Sequence, residues 1–182
     1  AYVHCAVENG ADIIISGAGL PIHLPELVSS SKVKFAPIVS SLKAVQVLFR
    51  MWERRYHTTA DMVVIEGPKA GGHLGFTPEI LAYVTSESYE KEVLNILEYV
   101  KGYEKKFHKT IPVVFAGGVY DRQDILHYLN LGLDGVQMGT RFVATEECDA
   151  SIQYKQAYVS AKKEDICIVK SPVGMPGRAI RN

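Results

Sequence analysis

The 182-residue chain carries 20 basic and 20 acidic side chains, a formal net charge of zero and 47% hydrophobic residues, the profile of one ordinary globular domain. With no basic stripe, neither nucleic acid nor an anionic membrane is expected as a partner. The longest apolar runs are strand-sized, far short of the roughly 20 residues of a membrane span, and no signal segment opens the sequence, so the expected location is the cytoplasm. Cys5, Cys148 and Cys167 are odd in number, widely spaced and free of ligand spacing, so neither a disulfide framework nor a metal site is expected.

Tyr2 to Gly10 reads as the end of a helix closing on a glycine, so the chain is expected to be the carboxy-terminal part of a larger domain. Ala11 to Gly19 is a continuous β-branched run ending in glycines, as in a parallel strand covered on both faces. Between Leu20 and Ser31, Pro21 and Pro25 leave room only for a short helix over Leu24 to Ser29. Val33 to Ser40 is the second strand, where Pro37 removes a ladder donor that a strand end can spare. Ser40 or Ser41 caps a helix that aligns Leu42, Val45, Leu48, Phe49 and Trp52 on one face and ends in the basic pair Arg54-Arg55.

Met62 to Ile65 is the third strand. It ends at Glu66 and breaks at once into a loop holding Gly67, Gly71, Gly72 and Gly75, with His73 as the loop's titratable ring. A helical turn over Pro78 to Tyr83 precedes a long amphipathic helix, Tyr89 to Lys109, with the stripe Val93, Ile96, Leu97, Val100 and Tyr103. The fourth strand, Ile111 to Ala116, ends in Gly117-Gly118. Asp121 caps a helix whose buried face is Ile125, Tyr128 and Leu129 and which Gly132 stops. A fifth strand, Gly135 to Met138, ends in Gly139-Thr140. Ser151 to Lys162 is helical, and Ile166 to Val169 with Ser171 to Gly177, through Val173, forms an extended tail rich in glycine and proline.

Strand, glycine loop and helix, repeated five times, define an α/β protein with a parallel sheet and helices outside. A doubly wound sheet usually announces its ligand with GxGxxG, and that motif is absent. In a TIM (β/α)8 barrel all strands open into one mouth, with an anion site commonly at the loops after the last two strands. Gly117-Gly118 and Gly139-Thr140 are those loops here, where main-chain N–H groups and a following helix end can hold a phosphate without Arg or Lys. The chain would supply about the last five βα units, with about three strands preceding Ala1.

For the Glu66 to Gly75 loop, a binding site competes with a tight βα turn carrying a solvated histidine. Glycine permits close approach of backbone to a ligand. His57, His108 and His127 sit on helix ends or faces, His4 on the opening helix, and His23 in a proline-rich loop near the mouth as a lesser candidate for substrate contact. Gly17 and Gly19, at a strand end on the same rim, share that secondary status. Tyr99 and Tyr103 at helical spacing read as packing.

Glu66-Gly67-Pro68-Lys69-Ala70-Gly71-Gly72-His73-Leu74-Gly75, Ala116-Gly117-Gly118-Val119 and Gln137-Met138-Gly139-Thr140-Arg141-Phe142 together resemble the FMN-dependent nitronate monooxygenases, formerly 2-nitropropane dioxygenases. Flavin-dependent enoyl-ACP reductases are close relatives with the same pattern. The resemblance runs from the strand at Ala11 to Asn182. It implies an FMN-containing TIM barrel whose cofactor contacts fall on Glu66, Gly71, Gly117, Gly118, Gln137, Met138, Gly139 and Thr140, with His73 as the catalytic histidine. Lys69 stands where a Glu is commoner in that pattern. The implied reaction is oxidation of a small-molecule nitronate by oxygen to a carbonyl compound and nitrite. An NAD(P)H-dependent reductase, acting on an enoyl thioester of a carrier protein or on a quinone, is the alternative, and a non-catalytic truncated fragment is a third reading. Open sheet edges of such a part-barrel invite pairing with another chain and leave a homo-oligomer open.

Overall fold

The computed structural model describes residues 1–172 and 174–181, so Val173 and Asn182, which the expected tail and the family resemblance included, lie outside the described residues. After α1 (Tyr2–Glu8) the chain alternates strand and helix through β1 (Ile13–Ser16), α2 (Leu24–Val28), β2 (Lys34–Val39), α3 (Leu42–Tyr56) and β3 (Val63–Glu66). There follow a two-residue strand β4 (Gly72–His73), α4 (Pro78–Tyr83), α5 (Ser86–Phe107), β5 (Val113–Ala116), α6 (Arg122–Asn130) and β6 (Gly135–Gln137). The chain closes with α7 (Thr140–Val143), α8 (Ile152–Ser160), β7 (Ile166–Lys170) and β8 (Pro176–Ile180). Strands β1, β2, β3, β5 and β6 form one parallel sheet in that order, and β4, β8 and β7 a second, antiparallel one. The architecture is α/β, with the strand order of consecutive units of a TIM barrel.

The core lies between the parallel sheet and its helices. Val63, Val64 and Ile65 of the central β3 are fully buried, which is why that strand reads as an unbroken apolar run. From α3, Val45, Leu48, Phe49 and Trp52 are fully buried, and Trp52 Nε1 donates to Ile22 O at 2.9 Å. Helices α3 and α5 meet through Phe49 and Tyr103, edge to face at 4.9 Å. Ser41 caps α3 by accepting from Ala44 N, and Glu92 of α5 accepts from Leu42 N at 2.7 Å.

Four expectations need correction. Within residues 1–182 strand β1 is not covered on both faces: it is the outermost strand of this part of the sheet, Ile13 and Ile15 are exposed, and Ile14, of opposite parity, packs against the core. Pro37 sits inside β2 rather than at its end. Lys34 N bonds toward Asp12 of the β1 flank and Phe35 O receives Asp61 N from the β3 flank, so by alternation the missing N–H of Pro37 faces β3. The β2–β3 register accordingly starts one residue later, at Ile38 opposite Val64. Helix α5 begins at Ser86, three residues before Tyr89, because Thr85 and Ser88 form a capping box. Finally, Leu129 of α6 is exposed while Ile125 and Tyr128 are half-buried, since α6 covers β6, the other edge of the sheet.

The segment read as an extended tail is more than that: β7 and β8 form an antiparallel hairpin, and β8 captures Gly72 and His73 as its second neighbour.

Candidate functional site

Parallel register brings three carboxyl ends into one row. Glu66 lies opposite Ala116, and Ala116 opposite Gln137, so the turns after β3, β5 and β6 leave the sheet side by side. The first two lock together. Gly67 N donates to Ala116 O at 2.7 Å, and Ala70 N returns to Gly67 O at 3.0 Å, curling residues 67–70 over the neighbouring strand end. A Cβ at Gly117 would stand 2.9 Å from Ala70 N and 3.1 Å from Gly67 O, and φ there is +117°. Only glycine allows the two turns to approach so closely. Gly118 (φ +76°) lies against the Lys69 side chain.

The third turn joins them. A Cβ at Gly71 would sit 3.9 Å from Thr140 Oγ1, and the Arg141 guanidinium stacks on Tyr120 at 4.4 Å, linking the loops after β5 and β6. The N–H groups of Gly118, Gly139 and Thr140 have no hydrogen-bond acceptor among the described residues. A Cβ at Gly72 or Gly139 would meet no atom within 4 Å, so open space borders both. These amides and the Thr140 hydroxyl are donors carried on the turns after the neighbouring strands β5 and β6. The helix end expected to assist is slight, because α7 has only four residues and the summed dipole grows with aligned peptides.

His73 is exposed on β4, paired with Gly177 of β8, and its ring makes no hydrogen bond to another described residue. On either side of it the loop is anchored. Leu74 is buried and its N–H donates to Pro176 O at 2.9 Å. The Glu66 carboxylate turns toward the loop's exit: Oε2 accepts from Ser40 Oγ at 2.9 Å and from Gly75 N at 2.6 Å. Beneath it Tyr89, in the first turn of α5, donates its hydroxyl to Ser40 O at 2.7 Å and Glu66 O at 2.9 Å. Burial, with Glu92 and Glu66 adding, pushes the Tyr89 phenol well above the ordinary tyrosine range, so it stays a donor. Tyr128, stacked on Phe115 at 3.8 Å, is pushed up to about 12 by burial.

The structure therefore brings Glu66, Gly71, Gly117, Gly118, Gln137, Gly139 and Thr140 to one rim, with Met138 half-buried against the core beside them. His23 is elsewhere: Nδ1 lies 3.1 Å from Tyr56 Oη, at the end of α3, a helix of 15 residues that starts at the rim and runs some 22 Å away from it. Gly17 packs on Ile38, whose Cδ1 would be 2.9 Å from a Cβ there. Sequence reasoning missed Ser40, Tyr89 and Arg178. For Tyr89 the signal was present in Thr85-Ser86-Glu87-Ser88, which starts the helix early and turns the phenol toward the strand ends; nothing local marks Arg178. No group of three or more metal-binding side chains occurs among the described residues.

Fold and rim together define a part-barrel α/β scaffold whose glycine turns leave the sheet side by side at the carboxyl ends of β3, β5 and β6. The sequence matches the nitronate monooxygenase family over residues 2–182, and the chain belongs to that family. It is 36% identical over 126 residues to a "Probable nitronate monooxygenase" of Staphylococcus haemolyticus, an alignment covering 69% of this chain and 33% of the relative. FabK from Thermotoga maritima superposes with a TM-score of 0.76 at 29% identity, over 99% of this chain and 50% of that one. The nitroalkane oxidase of Streptomyces ansochromogenes gives the same TM-score at 21% identity, over 99% of this chain and 48% of its own, a likeness of fold. The chain thus spans a third to a half of the length of the relatives it matches. No helix among the described residues is long and apolar enough to cross a membrane.

Proposed function

We propose that residues 1–182 form the carboxy-terminal part of a single FMN-binding TIM barrel that oxidises alkyl nitronates with oxygen to a carbonyl compound and nitrite. The observation that carries this reading is the contact between the three glycine turns, Gly71 against Thr140 and Gly117 against Ala70, with His73 two residues along the same loop. The unpaired amides of Gly118, Gly139 and Thr140 and the Thr140 hydroxyl suit the phosphate of FMN, and the exposed Gln137 amide suits its polar ring or ribityl edge. FMN, when bound, would supply the electron-accepting chemistry that no side chain here can perform.

The chain's own part is seating and proton control. His73 is exposed and makes no hydrogen bond to another described residue, so its ring is free to donate to the nitro oxygens or to hold a proton at the substrate carbon. Glu66, whose carboxylate is engaged by Ser40 and Gly75, contributes by holding the loop that carries His73.

The test begins with an absorbance spectrum of the purified chain and of a full-length relative, followed by nitrite release from a primary nitronate in air. His73→Asn is expected to keep the flavin and lower kcat by about 10²–10⁴-fold, the usual range for a general acid or base. Prompt anaerobic bleaching of the flavin by NADH, with no reaction of the nitronate, overturns the proposal in favour of a reductase on this scaffold. A colourless, aggregating chain would make it a non-catalytic fragment.

A further inference from the structure

We propose that Arg178 is the positioning residue that fixes the His73 strand, a role that rests on the reading of His73 given above. The loop from Gly67 to Gly75 is long and glycine-rich, and flexible backbone of this kind does not hold an imidazole in one place by itself. Its exit is fastened by Glu66 to Gly75 N. Its entry is fastened by Arg178, whose Nε donates to Ala70 O at 3.1 Å and whose Nη2 donates to Pro68 O at 2.7 Å. Between those two anchors stands the short pairing of β4 with β8.

Register decides what Arg178 can and cannot do. In an antiparallel pair, directly opposed residues project from the same face and successive residues from opposite faces. Arg178 is opposite Gly72 and Gly177 is opposite His73, so guanidinium and imidazole leave the small sheet on opposite sides. Arg178 reaches under the loop to its carbonyls, while the His73 side has no side chain across from it, Gly177 being buried where an added Cβ would come within 3.4 Å of Gly72 O. Arg178 therefore acts through the loop rather than on a ligand. Its guanidinium forms no ion pair with a carboxylate among the described residues, so its charge strengthens the two carbonyl bonds. Planar, forked donors can reach two carbonyls of one turn at once, which a lysine cannot reproduce.

The experiment compares Arg178→Ala and Arg178→Lys in the full chain with its flavin, reading kcat and KM for a nitronate together with amide hydrogen exchange. Arg178→Ala is expected to lower kcat about 100-fold, the cost of misplacing a reacting group by about 1 Å, with KM within about threefold. Exchange at Gly72 and Leu74, the amides that face β8, should quicken at least tenfold while β3 and β5 keep their protection, and Arg178→Lys should recover part of both. Unchanged exchange at Gly72 and Leu74 overturns the proposal, as does quickened exchange with unchanged kcat. Equal loss of protection in β3 and β5 also overturns it, since the role would then be general stability. If no variant, wild type included, turns over nitronate, the assigned reaction fails, and the exchange data alone decide whether Arg178 holds the strand.

Discussion

Tyr89→Phe removes one buried hydroxyl and leaves the shape of the core unchanged. The phenol is 5% exposed, and its ring packs edge to face on Phe76 at 5.5 Å, contacts that phenylalanine keeps. The loss falls on Ser40 O and Glu66 O, which receive the hydroxyl at 2.7 and 2.9 Å. Leaving a buried acceptor short of its donor costs about 1–3 kcal/mol, so about 2 kcal/mol is expected at pH 8, or a fall in Tm of roughly 4–8 °C for a chain of this size. The pH dependence gives a second handle. Burial raises the pKa of the folded phenol, so its stabilising contribution is complete below the unfolded pKa of about 10 and is lost as pH rises above it, because the unfolded tyrosine ionises first. At pH 11 that loss is about 1.4 kcal/mol, and the variant, with no phenol at this position, cannot suffer it. The gap in urea-unfolding free energy between wild type and variant should therefore narrow by about that amount between pH 9 and pH 11. Tyr103 and Tyr128 contribute equally to both proteins and cancel. A variant within about 0.5 kcal/mol of wild type at pH 8, or a gap that does not narrow, refutes the reasoning.

Gly117→Ala must push a Cβ against Ala70 N, a main-chain atom that cannot swing away, at a φ of +117°. About 3 kcal/mol of destabilisation is expected, against about 1 kcal/mol for Gly72→Ala, where φ is also positive but no atom lies within 4 Å of the added methyl; urea melts giving the reverse order would contradict the close-packed rim. Asp121→Ala removes the acceptor of Gln123 N and Asp124 N, at 2.8 and 3.0 Å, and should cost about 1 kcal/mol, with Asp121→Asn recovering most of it. A thermal shift under about 1 °C for the alanine variant would show that α6 does not depend on its cap.

The fold was legible where apolar period and punctuation agree. Gly117-Gly118 and Gly139-Thr140 follow strand-sized runs, and a parallel register then leaves their loops no choice but to meet at one rim. Asp121 and Ser41 announced their helices because a short polar side chain before a periodic stripe has one good use, accepting from the first free amides. The exposure of Ile13, Ile15 and Leu129 was not legible, since a strand or helix carries in its own sequence the face it is made to bury but not whether a neighbour is there to bury it. The β4–β8–β7 sheet was hidden for a different reason. Two residues, Gly72 and His73, have no period, and their partners lie more than 100 positions away in a stretch whose glycine and prolines read as irregular.

That distance bears on how the rim works. The glycine motifs describe backbone that is able to come close to a ligand, and the same freedom leaves the imidazole unplaced. What places it is remote in sequence: Ser40 and Tyr89 set the strand ends beneath Glu66, Glu66 holds Gly75, and Arg178 holds Pro68 and Ala70. The permissive element and the restraining elements are thus encoded in different parts of the chain. A substitution in the glycine loop changes the backbone on either side of His73, whereas one at Arg178 or Tyr89 changes the hydrogen bonds that anchor that backbone. The two kinds of variant should separate in the laboratory, the first moving flavin affinity and KM, the second moving kcat and local exchange.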